Sequence, residues 1–213
     1  PTNIADMLLR LAPSTWLLIT FLSYLMSFHM KKFATIVLGC VLSTTSLADN
    51  LSLDLNDDAL RLNYQHNLDK NYQTDFAWTH VKDLGDSLSA GLTLTQSLNN
   101  DITAYIGGKA LFQQHDHLPD GTAMAVGGAL RITPAANKNV SLMASAYFAP
   151  DVLSFGDMEN YQELEIRGEY KVSEQLTAYA GYRNNSADYS ANSVKVKNID
   201  LYDGFMIGGQ FKF

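Results

Sequence analysis

The sequence predicts an all-β fold: a transmembrane, antiparallel, up-and-down β-barrel of ten strands that occupies residues 49–213. Polar and apolar residues alternate with period two through nearly all of this region, as in strands whose two faces meet different surroundings. Several alternating segments have about the 9–11 residues that cross a bilayer as a tilted strand. Short links alternate with longer ones, which predicts one rim of tight turns and one rim of loops.

The first five predicted strands rest on alternating leucine, alanine, isoleucine and aromatic residues. They cover 51–55, 60–64, 76–78, 88–94 and 102–112. The first two are the shortest, so a barrel of eight strands remains the alternative if they do not pair. Even strand numbers place both termini at the same rim, which in outer-membrane barrels is the periplasmic rim of short turns.

The last five predicted strands have longer alternating runs. They cover 124–132, 140–148, 164–172, 176–182 and 205–213. Pro119, Pro134 and Pro150 all fall in links, as expected because proline cannot donate to a strand ladder. The links at 150–159 and 184–202 are predicted to be long acidic loops.

A secreted β-sandwich also alternates, because one face of each sheet is buried and the other is solvated. Two features favour the barrel. The polar face of 163–171 carries both signs of charge, which suits a lumen where charges pair. Aromatic residues also stand at strand ends, where the girdles of membrane barrels lie.

The first 48 residues have a different composition and predict a targeting sequence. From Met30 a basic n-region, an apolar h-region and a small-x-small site ending at Ala48 follow in order, which is the layout of a secretory signal peptide. We expect a signal peptide over 30–48, cleaved between Ala48 and Asp49. Residues 1–29 are then an upstream, non-native extension, and a membrane anchor within them is the alternative.

Charge and cysteine content exclude several classes of function. The single cysteine excludes a disulfide framework and a cysteine-based zinc site. Removal of the leader takes away three basic residues and one acidic residue, which moves the net charge from −7 to −9. A protein that binds nucleic acid needs a basic face, so we expect no nucleic-acid partner.

Charged side chains in the inward register predict a salt-bridged lumen. Glu163, Glu165 and Glu169 share a strand face with Arg167 and Lys171. The other charges expected to join this network are Arg61, Asp75, Lys109, Arg131 and Arg183, with Asp54 and Lys212 also predicted to face the lumen. Small barrels are filled by their side chains, and buried charges must pair. Gly127, between two alanines, predicts a thin wall and a narrow water path beside it.

The end of the chain carries a predicted assembly signal. Phe211 and Phe213 stand on the last alternating strand, and a terminal phenylalanine there resembles the sorting signal of bacterial outer-membrane proteins. The resemblance implies the barrel-assembly machinery as a partner.

Residues 51–213 as a whole resemble the YfaZ family of small outer-membrane proteins. The resemblance is carried, in order, by Trp78-Thr79-His80, Gly107-Gly108-Lys109, Ala125-Val126-Gly127-Gly128, Tyr147-Phe148-Ala149-Pro150-Asp151 and Ala180-Gly181-Tyr182-Arg183. It implies a porin-like barrel in the outer membrane of a Gram-negative bacterium, and because the family has no assigned activity it implies nothing about mechanism.

One loop has the residue types of a metal site. His115, Asp116 and His117 precede Asp120, and histidine and carboxylate side chains ligate zinc. The same composition is common in polar surface loops, so no metal and no cofactor is predicted.

His80 is the candidate for an enzyme at the outer rim. A lipid-modifying enzyme would need a histidine with a serine and an acid in reach, and Ser87 with Asp83 or Asp86 is close in sequence. Since no nucleophile elbow or phosphate loop occurs, we predict a protein that is not an enzyme.

Three functions remain open from the sequence. The first is a structural or surface-contact role through the acidic loops, with outer-membrane lipids and lipopolysaccharide as partners. The second is a narrow channel for ions or small solutes. The third is the lipid-modifying enzyme.

Overall fold

The computed structural model describes residues 49–115, 120–191 and 194–213, and they form a closed antiparallel barrel. The strands are β1 Asn50–Leu55, β2 Ala59–Asn67, β3 Tyr72–Val81, β4 Gly85–Ser97, β5 Ile102–His115, β6 Gly121–Ile132, β7 Val140–Ala149, β8 Ser154–Gly156, β9 Met158–Lys171, β10 Leu176–Ala191 and β11 Val194–Lys212. Ten strands make the barrel, and β8 is a short addition to it. The predicted fold class is therefore confirmed.

The barrel closes between the first and last strands. β1 pairs with β11 from Asn50 opposite Lys212 to Leu55 opposite Ile207, and β1 also pairs with β2 along its whole length. The two weakest predicted strands therefore belong to the ladder, and the barrel has ten strands, not eight. Closure leaves no unpaired edge along these strands, as a sheet in lipid requires.

The targeting segment lies outside this description. The predicted extension 1–29, the signal peptide 30–48 and the cleavage residue Ala48 are not among the described residues. Within the ranges that are described, no helix is long and apolar enough to cross a membrane.

The prediction that one rim has the longer connections is wrong for two of its links, since 56–58 and 82–84 are shorter than every link at the other rim. The names of the two rims follow the prediction. The short-turn side links β2 to β3, β4 to β5, β6 to β7 and β9 to β10, and both ends of the described chain lie there. The other rim is called the long-loop side. There β7 ends before Pro150, whose missing N–H cannot extend a ladder. After a 3-10 turn at Asp151–Leu153, β8 pairs with the start of β6 and fills the place that β7 leaves.

The predicted loop at 184–202 is wrong. β10 continues to Ala191 and β11 begins at Val194, so most of this stretch is a hairpin that extends the barrel wall. The sequence prediction required an apolar face, but Asn184, Ser186 and Asp188 in the outward register of β10 are polar. A register shift after Asn185 leaves Leu201 without a ladder partner on β10, so that Leu201 and Tyr202 are both buried.

Outward positions carry the apolar side chains that a membrane barrel presents to lipid. Ile106, Val126 and Leu164 are each more than half exposed, whereas inward Arg183 is 2% exposed. The usual relation between polarity and burial is thus inverted, as in a barrel whose solvent is the bilayer.

Candidate functional site in the barrel lumen

The middle of the lumen holds a set of ten charged side chains, which we call the charge layer. Five are cations and five are carboxylates, so the layer is neutral when all are ionised. The cations are Arg61, Lys109, Arg131, Arg167 and Arg183, and the carboxylates are Asp54, Asp75, Glu163, Glu165 and Glu169. Most make ion pairs, as charges removed from water must.

Arg183 joins two strands that are far apart in the sequence. Its Nη2 atom lies 2.8 Å from Oδ2 of Asp54 on β1 and 2.7 Å from Oε2 of Glu165 on β9. Tyr179 donates a hydrogen bond to the other oxygen of Asp54. The ring of Tyr179 fits because it lies against Gly208, where any Cβ would overlap it.

Glu163 is the second centre of the charge layer. Its Oε2 atom accepts hydrogen bonds from Nζ of Lys109 at 2.5 Å and from the hydroxyl of Tyr161 at 2.6 Å. Nη1 of Arg61 lies 3.8 Å from the other oxygen. The ammonium of Lys109 also lies 4.3 Å from the ring centre of Tyr147, a favourable cation–π distance.

Glu169 connects the layer to the short-turn side. It accepts from Nε of Arg167 at 2.9 Å and from Nη2 of Arg131 at 3.1 Å. Arg167 also contacts Glu165 at 3.0 Å, while Arg131 donates to the hydroxyl of Tyr105 at 3.0 Å. These contacts link the Arg183 and Glu169 groups through a single carboxylate, Glu165.

A polar cavity of about 150 Å³ lies within the lumen. Asp75, Asn63 and Gln73 are among its lining residues. The carboxylate of Asp75 occupies space that a side chain at Gly91 would take. Buried atoms Nε of Arg61 and Oδ1 of Asn63 have no protein hydrogen-bond partner among the described residues. A cavity of this size holds roughly five waters, so the charge layer is a wet region.

Two of the charges expected in the lumen are elsewhere. Lys171 is the last residue of β9, at the short-turn rim, and its ammonium donates to Glu174 at 2.8 Å. This hydrogen bond lowers the pKa of the exposed Glu174 carboxyl from its usual value. Lys212, the last residue of β11, is exposed. Alternation predicts the correct face for both residues, but it does not say how near the rim a strand ends.

We expect Lys171→Ala to leave the free energy of unfolding unchanged within the error of a urea titration, because its only described ion pair is solvated. Urea unfolding in phospholipid vesicles, followed by tryptophan fluorescence, measures this. Lys109→Ala serves as the comparison, since its ammonium is buried against Glu163. A loss for Lys171→Ala equal to that for Lys109→Ala would contradict the placement of Lys171 at the rim.

A second layer, on the long-loop side, was not predicted from the sequence. Apolar and aromatic side chains meet across the lumen there, and we call them the apolar layer. Its members are Leu111, Ala123, Ala125, Ala149, Met158, Tyr161, Ala187, Tyr189 and Leu201. The hydroxyl of Tyr189 on β10 donates to Oε1 of Gln113 on β5 at 2.5 Å, which ties opposite walls of the barrel together.

The space beside Gly127 is filled on the side of Ala125, whereas Ala129 on the other side lines the polar cavity. Ala123 and Ala125 are fully buried within the apolar layer, so other side chains pack against this wall. At Gly127 itself, a Cβ would overlap the carbonyl of Ala146. The glycine allows a close approach of two strands.

The residues proposed for a lipid-modifying enzyme do not form a triad. Nδ1 of His80 lies 3.0 Å from Oδ1 of Asp86, which also accepts from the indole N–H of Trp78 at 3.1 Å. Ser87 lies opposite Thr79 in the ladder, one register position from the pair of His80 and Asp86. Successive side chains point to opposite faces, so Ser87 faces inward while His80 faces outward, and the prediction of this site is wrong.

The candidate metal loop is only partly described. Asp116 and His117 lie outside the described residues. Oδ1 of Asp120 accepts from the backbone N–H of His115 at 3.1 Å, and the His115 ring stacks edge-on against Tyr189 at 5.3 Å. Over the described ranges, no three histidine, cysteine or acidic side chains are arranged to hold a metal ion.

The predicted assembly signal lies on the outward face of the last strand. Phe211 and Phe213 stack with their ring centres 6.2 Å apart. Both rings are partly exposed, at the short-turn side where β11 meets β1.

The chain matches one protein family over most of its length. The family model, described as YfaZ precursor, matches residues 30–213. The outer membrane protein YfaZ of Escherichia coli (strain K12) is 33% identical over 106 residues. That alignment covers 50% of this chain and 57% of the relative, so the match spans little more than half of the relative's length.

Solved porins are similar at low sequence identity. The NanC porin in a rhombohedral crystal form is 10% identical with a TM-score of 0.45, covering 79% of this chain and 100% of the other. The KdgM porin in complex with disordered oligogalacturonate is 10% identical with a TM-score of 0.46, covering 78% and 99%. At these values, neither adds to what the strand pairing shows about the fold.

Proposed function

Because the chain belongs to the YfaZ family of outer-membrane proteins, we propose that it is a non-enzymatic barrel with a closed lumen that acts through its surface. The role is structural or one of surface contact. The long-loop side faces outward from the cell, and both termini face the periplasm, as in other outer-membrane barrels.

The observation that supports this proposal is the packing of two groups of buried side chains, one charged and one apolar, inside the barrel. The charge layer crosses the middle of the barrel and holds β1, β5, β9 and β10 together through ion pairs. The apolar layer lies on the long-loop side of it and consists of leucine, alanine, methionine and tyrosine side chains. A hydrated ion would have to lose water to cross the apolar layer, which is costly.

The distribution of charge supports a surface role. By sequence position, the long-loop side holds twelve acidic and three basic residues. The lumen is balanced at five of each, and the short-turn side at four of each. The whole net charge of residues 49–213 therefore belongs to the side proposed to face outward. Lipopolysaccharide and outer-membrane lipids are the expected neighbours there, and an acidic surface gives no support for a nucleic-acid partner.

Assembly is proposed to use the outward phenylalanines of the last strand. Phe211 and Phe213 are accessible on the lipid-facing side, and β11 closes the barrel against β1. If the barrel-assembly machinery recognises β11, the pairing of β11 with β1 would be the last step of assembly.

A narrow channel is the second candidate, and the polar cavity beside Asp75 supports it. That cavity adjoins polar side chains on the short-turn side, including Asn50, Gln65 and Gln210. Water that enters from this side can reach the charge layer. The two candidate functions differ in whether the apolar layer prevents ions from crossing the barrel.

Ion flux through proteoliposomes tests the proposal. Vesicles that contain the purified protein and a pH-sensitive dye are given a proton or potassium gradient. We expect the same rate of dissipation as in vesicles without protein. Dissipation that rises in proportion to the amount of protein would support the channel and overturn the closed barrel.

A further inference from the structure

A pocket of about 300 Å³ opens in the barrel wall on the long-loop side, beside the point where β7 leaves the ladder. Phe148, Asn160, Gln162, Ser186 and Asp188 line it, and we call it the outer-wall pocket. Gln162 lies on the same face of β9 as the exposed Leu164 and Ile166. These five side chains lie in the outward register, and Tyr161 and Ala187 of the apolar layer also line the pocket.

Four polar side chains form a compact block across β9 and β10. Asn160 lies opposite Asp188, and Gln162 lies opposite Ser186. Nδ2 of Asn160 donates to Oδ2 of Asp188 at 3.2 Å, and Nε2 of Gln162 donates to Oγ of Ser186 at 2.7 Å. Each amide has two N–H donors and a carbonyl acceptor, so one such bond does not exhaust its hydrogen-bonding groups.

An aromatic ring borders this block. Phe148 of β7 lies directly opposite Gln162 of β9 and is half exposed. The ladder between β7 and β9 ends at Ala149 opposite Tyr161, and β8, which takes the place of β7 beside β6, has no ladder pairing with β9 among the described residues. The departure of β7 at Pro150 thus creates the opening and leaves the planar polar groups accessible next to an apolar ring.

We infer that the outer-wall pocket binds a single pyranose ring. Planar amide and carboxylate groups match the spacing of neighbouring sugar hydroxyls, and an aromatic ring covers the C–H face of a sugar. The volume is at the lower end of the range of about 300–1,000 Å³ for small-molecule pockets, which suits one ring.

The surrounding charge selects among sugars. Asp188 belongs to the pocket, and Asp200 lies opposite Ser186 on β11 with its side chain exposed. These carboxylates repel phosphate and carboxylate substituents, so the ligand is a neutral or amine-bearing pyranose.

The position of the pocket places it at headgroup depth. Leu164 and Ile166 follow Gln162 along the outward face of β9 and are exposed, as lipid-facing residues are. The sugar is carried by a glycolipid headgroup in the outer leaflet or arrives as a soluble glycan, and both present the same ring.

Saturation-transfer NMR on the purified protein in detergent micelles tests the inference. The soluble probes are the methyl glycosides of glucose, N-acetylglucosamine and glucosamine, with glucose 6-phosphate as the anionic comparison. We expect at least one glycoside to bind, and glucose 6-phosphate to bind about tenfold more weakly. A second arm compares nanodiscs that contain a glucosyl diacylglycerol with nanodiscs of phosphatidylglycerol alone, following the backbone amide signals of Phe148 and Ser186. Shifts only with the glycolipid identify a lipid headgroup, and glycoside binding without such shifts identifies a soluble glycan.

Substitutions of residues that line the outer-wall pocket test whether any binding occurs there. Asn160→Ala, Asp188→Asn and Phe148→Leu are each expected to weaken binding about tenfold or more, because each removes a proposed contact. Gln114→Ala is the matched control, since Gln114 is an exposed polar residue of β5 outside the pocket. Absence of binding by all glycosides and by the glycolipid would overturn the inference. So would equal losses for Gln114→Ala and the pocket variants. Neither result would bear on whether the lumen is closed.

Discussion

Replacement of Arg183 by methionine is expected to lower the free energy of unfolding by about 3–5 kcal/mol. Arg183 is 2% exposed and neutralises both Asp54 and Glu165. Methionine fills much of the same space but leaves two almost fully buried carboxylates without this cation. The cost arises from the charges that remain, more than from the contact that is lost. Urea unfolding in vesicles measures the difference.

Two comparisons separate this cause from a loss of packing. Arg183→Lys retains a positive charge and is expected to recover part of the lost stability. Lys138→Ala removes an exposed ion pair with Asp101 and is expected to cost about 0–1 kcal/mol. A loss for Arg183→Met no larger than that for Lys138→Ala would show that the charge layer does not stabilise the barrel.

The double substitution Tyr161→Ala, Tyr189→Ala is expected to turn a silent barrel into a conducting one. Both rings are almost fully buried in the apolar layer. Their removal opens this layer toward the water-accessible cavity below it. Hydrophobic constrictions block ions because water leaves them, so a wider and wetter opening lets ions pass. Single-channel recording in planar bilayers measures the effect.

The control for this double variant removes two tyrosines from the outer surface. Tyr72 and Tyr170 are about half exposed and face lipid near the short-turn rim. Tyr72→Ala, Tyr170→Ala is expected to remain silent. Tyr189→Ala alone is the milder variant in case the double substitution prevents folding, and it is expected to give a smaller conductance. Silence of the folded Tyr189→Ala and double variants would contradict the role of the apolar layer.

Much of the fold was predictable because alternation with period two is a direct consequence of a wall with two different faces. A one-residue shift would move every side chain to the other face. This is why Arg61, Lys109 and Glu163 could be assigned to the lumen side from spacing alone. The ion pairs could not be assigned, because the partners of Glu163 depend on the tilt and stagger of strands across the barrel.

The parts that were not predicted lie where the outward residues of a strand are no longer apolar or where the strand register shifts. The hairpin of β10 and β11 continues beyond the apolar band, so polar residues such as Asn184 and Ser186 resembled a loop. The register shift near Leu201 buries two successive residues, which strict alternation does not allow. One signal was present: Leu111 and Tyr161 are large apolar residues in the inward register, where a polar lumen would have small or polar ones.

The hypothesis of a lipid-modifying enzyme is wrong because residues that are close in the sequence can lie on opposite faces of a hairpin. His80 and Ser87 are seven positions apart on two strands of a hairpin, and the ladder places them on opposite faces. Only the register of β3 against β4 decides this. The carboxylate that does contact His80 is Asp86, whose contacts with Trp78 and His80 form a polar group on the outward face.

Single-channel recording of the unmodified protein tests the central claim, that two layers close the lumen, most directly. The purified barrel is inserted into a planar bilayer at high salt, and insertion is verified by the step-like currents of the Tyr161→Ala, Tyr189→Ala variant prepared in the same way. The closed barrel predicts no current steps from the unmodified protein. Reproducible steps from the unmodified protein would contradict the closed lumen and establish the narrow channel instead.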